Sequence, residues 1–300
     1  MLKNKEYQTI KMNSTYKFFL SICIFATVLI SSCELYNPAE PIPGYIHIDK
    51  FNLNTTYSTE GSNSHKITDA WVYIDDQIVG CFELPATFPV IAEGVHKIKL
   101  IPGIKVNGIA SNRGQYPYYT SYEQDVNFEA GKSITLSPTI TYKSTTNFVY
   151  LNDFEAAGFT IDTTNYSDTT LQLLVSPDPN VYEGAKSAIG YTDATKTRFE
   201  CATTSNFVLP HGGAPIFLEF NYKCNHEVVV SIIAYGTATL EQFEVIRLNP
   251  SANWNKIYVY LTPTVSATYS AVDYKLVWGM HDQSGSDSSV VLLDNIKLIK

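Results

Sequence analysis

Basic residues are scarce in this chain: 21 Lys and Arg stand against 29 Asp and Glu in 300 residues. A surface that neutralises phosphates needs a basic excess, so nucleic acid is excluded as a partner. Docking on anionic lipid through a polybasic patch is excluded for the same reason. Long apolar runs are lacking as well. The one candidate, residues 18–30, holds 13 residues, whereas crossing a hydrocarbon core takes roughly 20. No long stretch carries a 3.6-residue apolar period, which excludes a helical bundle. The five cysteines include no CxxC pair, and no His/Cys spacing of a zinc site occurs. His47, His65, His96, His211, His226 and His281 are scattered, without HExxH, and no GxSxG elbow, P-loop or dinucleotide fingerprint is present. The chain therefore reads as non-catalytic. Glu219, Glu227, Glu241 and Glu244 leave a hydrolytic carboxylate pair open, because carboxylate separation is a spatial quantity.

What is present begins with the short apolar run itself. Lys3, Lys5, Lys11 and Lys17 precede it and the small Ser31 and Ser32 follow, the layout of a cleaved signal peptide over residues 1–32. Met12 followed by the run is already a complete signal, so the start is either Met1 or Met12. Ile30-Ser31-Ser32-Cys33 resembles the bacterial lipobox, a branched apolar residue and two small ones before a cysteine. The resemblance implies that Cys33 is lipidated and becomes the N-terminus of a lipoprotein held at the outer membrane, on its periplasmic or its cell-surface face. Two or three acyl chains anchor durably where one binds only marginally. The alternative is an ordinary secretory peptide with a chance cysteine. Residues 33–44, with Pro38, Pro41 and Pro43, read as a short semi-rigid tether.

From Cys33 onward 268 residues remain, with a net charge of −11, enough for two domains. Tyrosine is plentiful at 21 residues, and with Thr, Val and Ile it favours strands. The fold class expected is all-β: two β-sandwich domains, Ig/PEGA-like over 45–143 and then a jelly roll over 147–300. Ala70-Trp71-Val72-Tyr73-Ile74 and Ile78-Val79-Gly80-Cys81-Phe82 flank Asp75-Asp76-Gln77 as a hairpin. With Pro89, Glu93-Gly94-Val95-His96 and Ile98-Lys99-Leu100, this segment resembles the PEGA family of extracellular β-sandwiches. That resemblance implies a spacer or interaction module, with Asp76 standing where the family favours glycine. Residues 104–124 depart from the pattern. There Tyr116, Tyr118, Tyr119 and Tyr122 crowd together, either as a stacking platform for sugar or protein, or as cover for a flank of the sandwich.

After a polar break at 143–146, strands are expected at 171–175, 187–191, 198–203, 216–223, 227–235, 243–248, 254–261, 274–280 and 290–299, spaced as in a sandwich or jelly roll. Phe217 to Tyr222 and Ile257 to Leu261 alternate, so each strand has one face in a core. Asn152-Asp153-Phe154-Glu155, Asn253-Trp254-Asn255-Lys256 and Leu293-Asp294-Asn295-Ile296 resemble jelly-roll carbohydrate-binding modules. The resemblance implies a glycan ligand, and a structural calcium for which Glu155 and Asp294 stand where its acids would be. The alternative is that Asp294-Asn295 makes a local turn or caps backbone amides. Trp278 is either a core residue or, with His281 and Asp282, part of a sugar site. Trp254 is expected in the core. Cys201 and Cys224 are either bridged or buried free thiols. Asp162-Thr163-Thr164 and Asp168-Thr169-Thr170 resemble Bacteroidota O-glycosylation sites, which would make Thr163 and Thr169 the attachment points. Two functions remain: a glycan-binding lipoprotein, or an assembly lipoprotein that contacts other envelope proteins.

Overall fold

The computed structural model describes residues 13–30, 40–158, 160–237, 240–281 and 288–300. Cys33 and most of the tether, like Asp282, lie outside the described residues. The apolar run falls in a helix, α1 (Ser14–Ile30). Among the described residues no helix is long and apolar enough to cross a membrane. The described chain after it is built mainly of strands, with short helices at Tyr57–Glu60 and Thr262–Ala267.

The first sandwich packs two layers around one core. One layer is a sheet of β4 (Gln77–Glu83), β3 (Asp69–Ile74), β6 (Gly94–Lys105) and β7 (Arg113–Gln115), with β8 (Tyr122–Phe128) also on β6. The other holds β5 (Ala86–Val90), β1 (Gly44–Ile48) and β9 (Ser133–Leu136), continued by the pair β2 (Asn52–Leu53) and β10 (Thr139–Ile140). Strict alternation sends Ala70, Val72 and Ile74 inward from β3 against Ile46 and Ile48 of β1. The β3–β4 turn is made by Asp75 and Asp76, both in the left-handed region with φ of 47° and 61°. A two-residue hairpin of this hand needs positive φ at both positions. Asp75 holds its place by accepting the Lys97 N–H at 3.0 Å, so the turn forms without the glycine that the resemblance led one to expect at Asp76.

The second sandwich is a jelly roll, with eleven strands among the described residues. Its six-stranded sheet runs β13 (Gln172–Val175), β14 (Lys186–Thr192), β21 (Ser289–Ile299), β16 (Phe217–Cys224) and β19 (Ser251–Tyr260), with β11 (Phe148–Asn152) also on β21. The facing five-stranded sheet runs β12 (Ile161–Thr163), β15 (Arg198–Thr203), β20 (Ala271–His281), β17 (Val228–Gly236) and β18 (Leu240–Leu248). Leu218 and Phe220 from one sheet meet Val230, Ile232, Leu276 and Trp278 from the other in a single core. Phe199 enters that core by lying on Gly190, where a Cβ would stand 2.2 Å from its ring.

The sequence leads one to expect the other face of β16 and β19 to be wet. It is not. Phe217, Tyr258 and Ile299 belong to the first sandwich's core, so the six-stranded sheet is covered on both sides. Its outward polar residues are consequently buried, with Glu219 fully so. Tyr116 donates to Glu219 Oε1 at 2.5 Å, and Tyr142 reaches both carboxylate oxygens at 3.1 and 3.0 Å. Lys256 Nζ stands 3.2 Å from Glu219 Oε2, as an ion pair without hydrogen-bond alignment. Lys297 donates to the Ser62 carbonyl at 2.6 Å and lies 4.8 Å over the Tyr142 ring.

Burial presses the Lys297 ammonium down to about 7, with Glu219 opposing and Lys256 assisting. The folded value lies below that of an exposed lysine, so between about pH 7 and pH 10 the unfolded chain binds the extra proton. Stability contributed by this group therefore rises as pH rises through that window. Urea unfolding at pH 7, 8 and 9 is expected to show the rise in the native chain, and Lys297→Met is expected to flatten it. An equal slope in both proteins would contradict this account.

Candidate functional site

The structure scatters most of the residues that sequence marks as sites. Trp278 is fully buried, edge-on to Phe220 at 5.8 Å, and offers no face to a sugar. Trp254, expected in the core, is only half-buried and lies on the outward side of β19 against Tyr182 at 5.0 Å. Tyr116, Tyr118 and Tyr119 are buried to 1%, 8% and 1% exposure. Their rings cover the six-stranded sheet, and Tyr118 donates to the Pro215 carbonyl across the junction. They are a seam between sandwiches, not a ligand platform.

Cys201 and Cys224 are free buried thiols. They stand on strands of opposite sheets, β15 and β16, and Cys224 Sγ approaches the Asn249 carbonyl at 3.6 Å. Burial raises both thiols above their ordinary range, as expected of inert core cysteines. Thr169 is also buried, its hydroxyl donating to the Tyr191 carbonyl at 2.6 Å; a glycan there would have to break that bond. Thr163 lies in β12, its hydroxyl 3.2 Å from Asp162 Oδ1.

Glu155 and Asp294 do converge on one segment, the approach to β14. Glu155 Oε1 accepts the N–H groups of Ala185 and Lys186 at 2.7 and 2.9 Å. Asp294 takes the Ser187 hydroxyl at 2.5 Å and the Asn295 N–H at 2.7 Å. Burial drives its carboxyl up to about 7. Here β21 changes edge partner, pairing with β14 up to Leu293 and with β11 from Ile296, and Asn295 turns the strand with φ 47°. Calcium wants six to eight oxygens, but these oxygens already face N–H and O–H donors. Among the described residues no group of three or more His, Cys, Asp or Glu is placed to hold a metal. As arranged, Glu155 caps backbone N–H groups, and Asp294 takes one hydroxyl and one backbone N–H.

The open surface of the jelly roll is the outer face of the five-stranded sheet. Alternation in β15 buries Phe199 and Cys201 and sends Arg198 and Glu200 out. The same rule brings Gly279 and His281 out of β20 and Ser231 out of β17, and β18 adds Gln242, Glu244 and Arg247. Together they line a groove of about 410 Å³. Glu200 sits at its floor, 5% exposed, and is held on three sides: by the Thr164 hydroxyl at 2.7 Å, Gln242 Nε2 at 3.2 Å and Arg198 Nη2 at 3.3 Å. Gly279 keeps the floor in front of it low, since a Cβ there would stand 3.8 Å from Glu200 Oε2. Arg247 is clamped by Glu227 at 2.6 Å and Glu244 at 2.5 Å, which raise its pKa. At one end Arg198 stacks 5.2 Å from the Tyr166 ring, which is 67% exposed.

Of the residues marked in the sequence, His281 and Glu244 line the groove. Arg198, Glu200, Gln242 and Arg247 were missed as a site. The signal for the first two lay in β15, where charged residues alternate with Phe199 and Cys201; nothing in sequence brings Gln242 and Arg247 of β18 to the same groove.

No protein-family model matches the chain, and no curated protein matches it. Several solved structures resemble part of it. The family 22 carbohydrate-binding module and family 10 xylanase of Clostridium thermocellum, complexed with xylohexaose, match over 51% of this chain and 28% of theirs at 12% identity and a TM-score of 0.37. A xylan-binding family 22 module matches over 50% of this chain and 93% of its own at 13% identity, TM-score 0.35. The family 11 module of Clostridium thermocellum with a mixed-linked tetrasaccharide gives 51%, 94%, 14% and 0.33. This chain therefore spans about a quarter of the xylanase but nearly the whole of the isolated modules. What those proteins bind is a property of those proteins.

Two measurements check the placements above. Trp278→Ala is expected to cost about 3–5 kcal/mol in urea unfolding, as for a large core aromatic, and Trp254→Ala markedly less. Equal costs would contradict the assignment of Trp278 to the core. Melting in EDTA and in millimolar calcium is expected to coincide, because a ligand that binds only the native state would raise the midpoint.

Proposed function

We propose that this protein is an exported lipoprotein, anchored in the outer membrane through Cys33, that holds a glycan in the outer groove of its jelly roll and catalyses nothing. The observation that carries the ligand is the groove. Its volume falls in the range of small-ligand sites, roughly 300–1,000 Å³. It offers donors and acceptors of both signs: Arg198, Arg247 and Gln242 beside Glu200, Glu244 and His281. Mixed donors and acceptors suit a ligand rich in hydroxyls, each of which both gives and takes a hydrogen bond. The exposed Tyr166 ring supplies an apolar face at the groove's end. The groove is also rigid, since the strands that line it back onto the jelly-roll core and Glu200 has three partners. Preorganised polar groups lower the ordering cost of binding.

The anchor rests on Lys3 to Cys33 as a signal and lipobox, and an acidic, strand-built body suits life beside a membrane of like charge. A glycan array probed with the detergent-solubilised protein, followed by calorimetry on the best binder, tests the ligand. Glu200→Gln and Arg198→Ala are each expected to weaken binding tenfold or more, about 1.4 kcal/mol, with the melting temperature held as a folding check. If the native protein binds no glycan, or if both variants bind as it does, the groove is not a glycan site.

A further inference from the structure

The first sandwich gathers exposed aliphatic side chains at one end. Ile42, Ile78, Val79, Ile91 and Val95 are 68%, 59%, 41%, 74% and 70% exposed. Strand register brings them together. Gly44, where the chain enters β1, pairs with Val90 at the end of β5, so Ile42 and Ile91 leave the sheet at the same edge. Asp75 N–H bonds the Lys97 carbonyl at 2.9 Å, which sets the β3–β4 turn, with Ile78 and Val79 just beyond it, beside the start of β6 and Val95. Gly131 N–H bonds the Pro43 carbonyl at 3.0 Å, closing the same end from the far side. A shallow groove lined by Val79, Pro89, Ile91, Ala92 and His96 runs between these segments.

Scattered exposed leucines or valines need no explanation, but a cluster of five at one end of a small domain marks a contact surface. Its position says what it contacts. Residues 33–43 span at most about 40 Å when extended, so the end of the sandwich where they enter is the end held nearest the anchor. We infer that this apolar end is a lipid-docking surface, which seats the first sandwich against the headgroup–acyl boundary of a zwitterionic bilayer. The inference rests on the anchoring proposed above. Asp75 and Glu93 line the same groove, Asp76 completes the β3–β4 turn and Glu129 begins the turn through Gly131, with His96, Lys97 and Lys132 as the opposing charges. That acidic rim repels anionic headgroups and selects phosphatidylethanolamine-like ones. Aliphatic tips entering to a depth of about 5–10 Å leave the rim at the headgroups. Apolar area removed from water adds to the hold of the acyl chains. The result is an oriented protein: the first sandwich rests on the bilayer.

The test uses the lipidated protein reconstituted in vesicles of phosphatidylethanolamine and phosphatidylcholine containing a brominated phosphatidylcholine. In a Cys81→Ser background, a fluorophore is placed on Val95→Cys or, for comparison, on Tyr269→Cys in the second sandwich. Lipid quenching at position 95 is expected to exceed that at 269 by about twofold or more, as for side chains at the acyl boundary. Adding Ile91→Asp and Ile78→Asp is expected to abolish the excess while the protein still sediments with the vesicles. Equal quenching at both positions overturns the docking surface. A dimer in ultracentrifugation that the Asp variants abolish, without an excess of lipid quenching, assigns the patch to a second copy and overturns it too. Failure of the anchor itself shows separately: Cys33→Ser would then leave the membrane fraction unchanged, and the docking surface falls with it.

Discussion

One buried carboxylate organises the junction of this molecule. Glu219 lies in the middle of a sheet covered on both faces, and its charge has no route to water. A buried charge survives only when paired and hydrogen-bonded. Two tyrosine hydroxyls from the first sandwich and an ammonium from the second surround it. Removing one member of such a buried set typically costs about 3–5 kcal/mol, because the remaining charge is stranded. The set is therefore a register device as much as a source of stability. Only one seating of the two sandwiches brings Tyr116 and Tyr142 to Glu219 and Lys297 to the Ser62 carbonyl.

That seating determines what the rest of the chain can do. With the six-stranded sheet covered, the jelly roll has one open sheet face left, and the polar groove lies on it. The tyrosine-rich segment at 116–119, conspicuous as a possible platform, is used up at the seam. The apolar end of the first sandwich, by contrast, lies at its turns, beside the point where the chain enters β1.

Legibility in sequence followed what local pattern can encode. The strands from β13 to β21 were all readable, because one face of each is apolar and turn residues punctuate them. Short pairings such as β2 with β10, or β12 with β15, were not, since two or three residues carry no period. The hairpin at Asp75-Asp76 was legible as a turn. Its hand was not, until the Lys97 N–H was seen to hold Asp75. Trp278 and Trp254 show the limit most clearly. Both sit in alternating strands, and the parity of a strand says which residues share a face but not which face is dry.

By itself, then, the sequence determined an acidic, strand-built chain behind a short apolar run, with two successive β units and no common catalytic motif. Composition, period and turn chemistry are local properties, and they survive without coordinates. Only tertiary structure decided which polar faces are wet. Glu219, Asn221 and Lys256 alternate with apolar residues just as Arg198 and Glu200 do, and the two patterns are indistinguishable along the chain. One set is sealed under tyrosines and the other lines a groove, because a covered face and a solvated face differ only in what another part of the chain lays over them.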